Sequence, residues 1–214
     1  MKTKAQSQAA EKRNPRRCTA FEGMRRIASG NLPAVALSTK KVLDRGLRGP
    51  VLIFDDVTSE QIELDFRGSP ADVLNRIKES EAIPEVPPPD GNGPRGPGRP
   101  RLGVVAREVT LLPRHWQWLG EQPGGASVTL RKLVDEARRA NEGKDRLRRA
   151  RESAYRFMSA VAGNLPGFEE AIRALFGANH AQFAQSIEPW PHGVRDHARK
   201  LADAALAGAD EVGR

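Results

Sequence analysis

A chain of 214 residues, 38% apolar and only 5% aromatic, suffices for one large or two small domains with a modest core. Its mean hydropathy of -0.57 and the lack of any apolar run near the roughly 20 residues that cross a bilayer exclude a helical membrane span. One cysteine, Cys18, excludes an internal disulfide and fits a reducing compartment, so a cytoplasmic protein is expected. The net charge of +8 is unevenly placed. Residues 1–17 hold 6 Lys/Arg against 1 Glu, and residues 99–156 hold 14 Lys/Arg against 7 Asp/Glu, while the rest of the chain is slightly acidic. Charge focused in this way attracts polyanions, of which nucleic acid is the commonest.

Residues 1–17, "MKTKAQSQAAEKRNPRR", lack an apolar core, so they predict a disordered basic arm and no secretory signal. Residues 18–81 predict a small α+β domain. "CTAFEGMRRIASG" gives a hairpin turning at Glu22-Gly23. A helix follows, with Asn31 as cap, Pro33 in the first turn, Gly46 as stop, and Val35, Ala36, Thr39, Val42 and Leu43 on one apolar face. "VLIF" at 51–54 predicts a buried strand, and Ile62, Leu64 and Phe66, alternating with acids, a half-buried one. Ser69 caps a second helix opened by Pro70, with Asp72 at its N-terminal dipole end. Residues 82–103 are a Pro/Gly/Arg-rich linker that cannot form a core.

Residues 104–207 predict a mostly helical domain that opens with a strand-helix-helix unit (105–140) and continues as a helical bundle (144–206). Helices are expected from Pro113 to Gln122, from Ser127 to Ala140 and from Lys144 to Gly163, with Asn141-Glu142-Gly143 as the break between the last two. Three more follow at Pro166–Gly177, Asn179–Ser186 and Pro191–Leu206. Phe168, Ile172, Leu175 and Phe176 form a core-facing stripe, and Phe157, Met158, Val161, Phe183, Ile187 and Trp190 fill the same core. The fold class expected is therefore α+β: a small sandwich-like N-terminal domain, a linker and a helical domain.

"REVTLLPRHWQWLGEQPGGASVTLRKLVDEARRA", Arg107 to Ala140, resembles the ribbon-helix-helix DNA-binding motif in its strand, proline-opened helix, glycine turn and second helix. The likeness implies a homodimer whose paired strands lie in the major groove, with a phosphate at the start of the second helix. Carried over, it places Arg107, Thr110 and Arg114 near the DNA and Ser127 as the phosphate-binding cap, backed by Arg131 and Lys132. The strand register is a conflict: with Leu112 inward, Leu111 and Val109 point outward, and a one-residue shift exposes Leu112. Just upstream, "PGRPR" resembles the core of an AT-hook, whose arginines reach into a narrow minor groove; Arg99 and Arg101 are its candidates, and a plain linker is the alternative. In "KDRLRRARESAYRF", Lys144, Arg148 and Arg151 share one helix side, with Arg149 beside them. The segment reads as a phosphate-binding ridge with Arg148 as its candidate, or as a solvated face on which Asp145 and Glu152 pair locally.

From about Cys18 to Leu201 the chain also resembles an uncharacterised bacterial family, a domain of unknown function, through "TAFEG", "PVLIFDD", "GRPRLGVVAREVTLLPRHW", "PGGASVTLRKLVDEAR", "AYRFMSAVAGNLPGFEEA" and "PWP". That likeness implies membership and no activity. Catalytic, cofactor and metal sites are not expected. The four histidines fall at no metal-ligand spacing, and Asp55-Asp56 reads as a turn or as a pair for a hard cation. Two functions are expected from these observations: a non-enzymatic DNA-binding regulator, or a protein-interaction scaffold using the 105–112 strand as a docking edge. The partners implied are DNA and a second copy of the chain, with no membrane and no small-molecule ligand.

Overall fold

The structure, a computed structural model, describes residues 16–46, 49–82 and 107–207. The N-terminal arm up to residue 15, almost all of the linker, and with it Arg99 and Arg101, lie outside the described residues. The chain forms two compact units: residues 1–82 with 143–214, and residues 83–142. The expected division placed 18–81 and 144–206 in different domains; here they share one unit.

In the first unit, β1 (Arg17–Glu22), β2 (Arg25–Asn31) and β3 (Val51–Asp55) make an antiparallel sheet of order β2-β1-β3. β1 is central and buried from Cys18 to Glu22, because both sheet faces are covered. Strand alternation sorts its residues. Cys18 and Ala20, with Ile53 of β3, pack against Leu32, Val35 and Ala36 of helix α1 (Leu32–Asp44) and Val73 and Ile77 of α2 (Pro70–Ala82). Phe21 and Phe54 emerge on the opposite face and enter a second cluster built by helices.

The local signals for α1 and α2 act as expected. The Asn31 side chain accepts from the Ala34 N–H, and Pro33 occupies the first turn. At α2 the Ser69 hydroxyl accepts from the Asp72 N–H while the Asp72 carboxylate accepts from the Ser69 N–H, a reciprocal cap. The expected strand at 62–66 is replaced by a single bridge, Phe54 to Gln61. Ile62, Leu64 and Phe66 still alternate inward with exposed Glu63 and Asp65. The side-chain pattern therefore follows burial, and the ladder stops one step past the turn.

The helical part contains α3 (Pro113–Glu121), α4 (Gly125–Ala162), α5 (Phe168–Phe176), α6 (His180–Ile187) and α7 (His192–Ala207). The largest correction is α4: one uninterrupted helix of 38 residues replaces two helices split at Asn141-Glu142-Gly143. Gly143 does not take a left-handed φ, and a glycine inside a helix costs only about 1 kcal/mol relative to alanine, too little to end it. In the first unit Phe157 of α4 sits between Phe21 and Phe54, with ring centroids 5.3 Å from each, and His197 of α7 meets it edge-to-face at 4.5 Å. Met158, Ala162, Leu175, Phe183, Ile187 and Trp190 complete this core, and Trp190 donates its indole N–H to the Pro166 carbonyl at 2.9 Å. Phe176 departs from the expected stripe: it is exposed and meets Tyr155 edge-on.

In the second unit Arg107–Leu112 belong to no strand. A strand needs a ladder partner, and Leu112 instead takes an extended conformation as the residue capping α3. Ser127 is not the cap of the following helix. Gly124 and Gly125 adopt left-handed φ values of 90° and 75°, which close the turn two residues earlier, and Gly125 donates its N–H to the Gln122 carbonyl. Among the described residues of this unit Leu119 is the buried hydrophobic residue, while Val109, Leu112, Trp116, Trp118, Leu133 and Val134 are exposed.

Candidate functional site

Arg107, Thr110, Arg114, Ser127, Arg131 and Lys132 all belong to the 83–142 unit, and all are exposed. Arg131 folds its Nε onto the Ser127 carbonyl at 3.0 Å. Arg148 belongs to the other unit, and its guanidinium is occupied: it bonds Asp145 and Glu152, each at 3.2 Å. These are the local pairs that the solvated-face alternative anticipated. The ridge of Lys144, Arg148 and Arg151 is thereby partly neutralised.

The opposite side of the same helical segment behaves differently. Residues 144–156 carry six Lys/Arg against Asp145 and Glu152. At helical spacing Arg146, Arg149, Ala150, Ser153 and Arg156 form one face. That face walls a cavity of about 660 Å³, closed on its other sides by Asp56, Val57, Thr58 and Glu60 after β3 and by Lys200, Leu201 and Ala204 of α7. Arg149 donates to its own helix at the Asp145 carbonyl, 3.2 Å away, and Arg156 donates to the Thr58 carbonyl. Both cations thus rest on main-chain oxygens, while Lys200 pairs with Asp56 at 2.7 Å. The mouth presents guanidinium groups, and apolar surface comes from Val57, Ala150, Leu201 and Ala204.

The loop from Asp55 to Glu60 is held in place by contacts far apart in sequence. Ser59 is fully buried with φ 52°, an uncommon conformation for a non-glycine residue. Its hydroxyl meets that of Ser153 at 2.8 Å, across 94 residues. Asp55 accepts from the Val57 and Thr58 N–H groups and from Arg16 Nε at 2.7 Å. Burial pushes the Asp55 carboxyl up, but Arg16 and the two N–H groups outweigh it and hold it below the usual carboxylate range. Asp56 accepts from the Thr19 hydroxyl at 2.6 Å as well as from Lys200. The aspartate pair therefore braces the turn; among the described residues no group of three or more His, Cys, Asp or Glu is placed to hold a metal ion.

Cys18 lies buried in β1 beside this turn. Burial, then the charges of Asp56 and Asp55, push its thiol up to about 11, so it packs as a small apolar residue despite Arg16. From "AYRFMSAVAG" and beyond it, Phe157, Met158, Ala162 and Trp190 are buried and supply core, while Arg156 of the same stretch lines the cavity.

Fold and site together define an α+β protein whose sheet and helices enclose a cation-rimmed, partly apolar cavity. The chain belongs to the family described as an uncharacterized protein conserved in bacteria (DUF2239), whose pattern matches residues 17–202. No curated protein and no solved structure matches it. Among the described residues no helix is long and apolar enough to cross a membrane.

Proposed function

We propose that the protein binds nucleic acid, with Arg149 and Arg156 as principal phosphate contacts. The observation that carries this reading is the cavity mouth, where Arg149 and Arg156 are anchored on main-chain oxygens and not consumed by carboxylates. An ordered guanidinium with free N–H groups binds phosphate through paired, charge-assisted hydrogen bonds. The exposed Arg107, Thr110, Arg114, Ser127, Arg131 and Lys132 remain candidate DNA contacts of the other unit, in the manner of a bacterial regulator. The test is fluorescence anisotropy with short labelled oligonucleotides at about 50 and 200 mM salt. Affinity is expected to fall steeply with salt, and Arg149→Ala to weaken binding and flatten the salt slope by about one. Absence of binding at the lower salt would sink the proposal.

A second reading, a protein-docking role for residues 107–142, is favoured by the exposure of Val109, Leu112, Trp116, Trp118, Leu133 and Val134 in a unit with so little buried. The occupant that fits is a second copy of the chain, because a two-fold contact covers the same patch on both partners. The segment also carries nearly balanced charge, six Lys/Arg and five Asp/Glu, which gives little self-repulsion. Light scattering would report a dimer that Trp116→Glu dissociates; a monomer at all concentrations would remove this reading.

A further inference from the structure

We propose that the cavity bounded by Asp56–Glu60, α4 and α7 receives an unpaired nucleotide, so that the nucleic acid bound here is single-stranded. The inference rests on the polyanion reading and asks what a phosphate-binding rim gains from the space behind it. The space measures about 660 Å³, within the range of about 300–1,000 Å³ typical of pockets that enclose an organic ligand. Its lining includes the acids Asp56, Glu60 and Glu152, and two further kinds of side chain. Arg146, Arg149, Arg156 and Lys200 bring positive charge, whereas Val57, Ala150, Leu201 and Ala204 offer apolar surface.

A duplex matches only the cationic kind. Its phosphates line the outside and its base faces are stacked away inside, so it can satisfy the rim but leaves the apolar surface uncovered. A nucleotide released from the stack presents a phosphate and a flat, weakly polar base a few ångströms apart. The acids at the site fit the same ligand. Glu60 is exposed at the cavity wall and accepts from the Thr58 hydroxyl at 3.3 Å. Its remaining lone pairs can take an exocyclic amino group of a base. A backbone-only phosphate site has no use for a carboxylate there, whereas a base-reading site does.

The walls are also preformed. Ser59 is buried against Ser153, Arg156 is tied to the Thr58 carbonyl, and Lys200 is fixed by Asp56, so loop and helices are joined before any ligand arrives. A rigid pocket does not have to be ordered on binding, which favours affinity for a single small moiety.

The experiment compares a labelled twelve-nucleotide oligodeoxycytidine, whose bases carry the exocyclic amino group that Glu60 would accept from, with a blunt duplex of the same length, by anisotropy on the full chain at low salt. The single strand is expected to bind about tenfold more tightly, the scale of one base enclosed by protein. Ala204→Phe, at an exposed position of α7 on the cavity wall, fills the space without altering charge. It is expected to abolish the single-strand preference. Val57→Asn, at a position 78% exposed, removes apolar surface from the mouth without adding charge or burdening the fold and should do the same. Equal affinity for the two probes, or a preference that survives both substitutions, overturns the inference while leaving the polyanion reading intact. Failure of both probes to bind defeats that reading and the inference with it.

Discussion

His197 is 2% exposed, enclosed by Phe21 and Phe157, and its Nε2 has no hydrogen-bond partner among the described residues. Burial pushes its pKa down to about 4, against a smaller upward pull from Asp56 and with further lowering by Lys200 and Arg26. In the unfolded chain the same imidazole takes its proton near 6.5. Between those values the unfolded state binds more protons, so stability falls as pH drops through that window and is insensitive to this group above it. The full loss is on the order of 3 kcal/mol. Urea unfolding at pH 7 and pH 4.5 should reveal it, and His197→Phe should remove most of that pH dependence. An unchanged dependence in the variant would show that His197 is not the responsible group.

At the scale of elements, α4 decides how the chain is organised, and Gly143 tests its continuity. A Cβ built on Gly143 meets nothing within 4 Å, and its φ is not left-handed. Gly143→Ala should therefore stabilise the protein by about 0.5–1 kcal/mol, seen as a raised denaturation midpoint. If the chain broke into two helices there, with Gly143 as a left-handed cap, the same change would destabilise. What the sequence makes legible at this scale is local. Asn31 and Ser69 announce helix starts because a cap needs only neighbours three residues away, and Val51 to Phe54 reads as buried because every residue in it is apolar. Other features depend on distant partners. Residues 62–66 have the side-chain rhythm of a strand but lack a ladder. "NEG" at 141–143 reads as a stop, yet Gly143 keeps a helical φ and one glycine costs too little to end the helix. The candidate site was legible only as a basic segment. Its shape was not, because the Ser59–Ser153 contact and the Asp56–Lys200 pair join residues 94 and 144 apart.

For the molecule as a whole, the two-sided sheet matters most. Cys18 and Ala20 are covered by α1 and α2, but Phe21 and Phe54 are covered by residues of α4 and α7. Residues 16–82 made alone should therefore fail to fold, since both phenylalanines would face water and each is worth about 1.5–3 kcal/mol of burial. Circular dichroism and amide dispersion should report a largely unfolded fragment; a cooperatively melting one would show that the sheet does not need the helices. In the full protein the same arrangement predicts that Phe157→Ala, costing about 3–5 kcal/mol, lowers the stability of sheet and helices in one transition.

The central strand, buried on both faces, also has a consequence for biosynthesis. Phe54 leaves the ribosome about a hundred residues ahead of Phe157, the ring that shields it. At about 5–20 residues per second, the first half waits roughly 5 to 20 seconds with its aromatic face unclaimed. During that interval the nascent protein is a client for any factor that shelters apolar surface, and it commits to its final topology only once α4 and α7 have emerged.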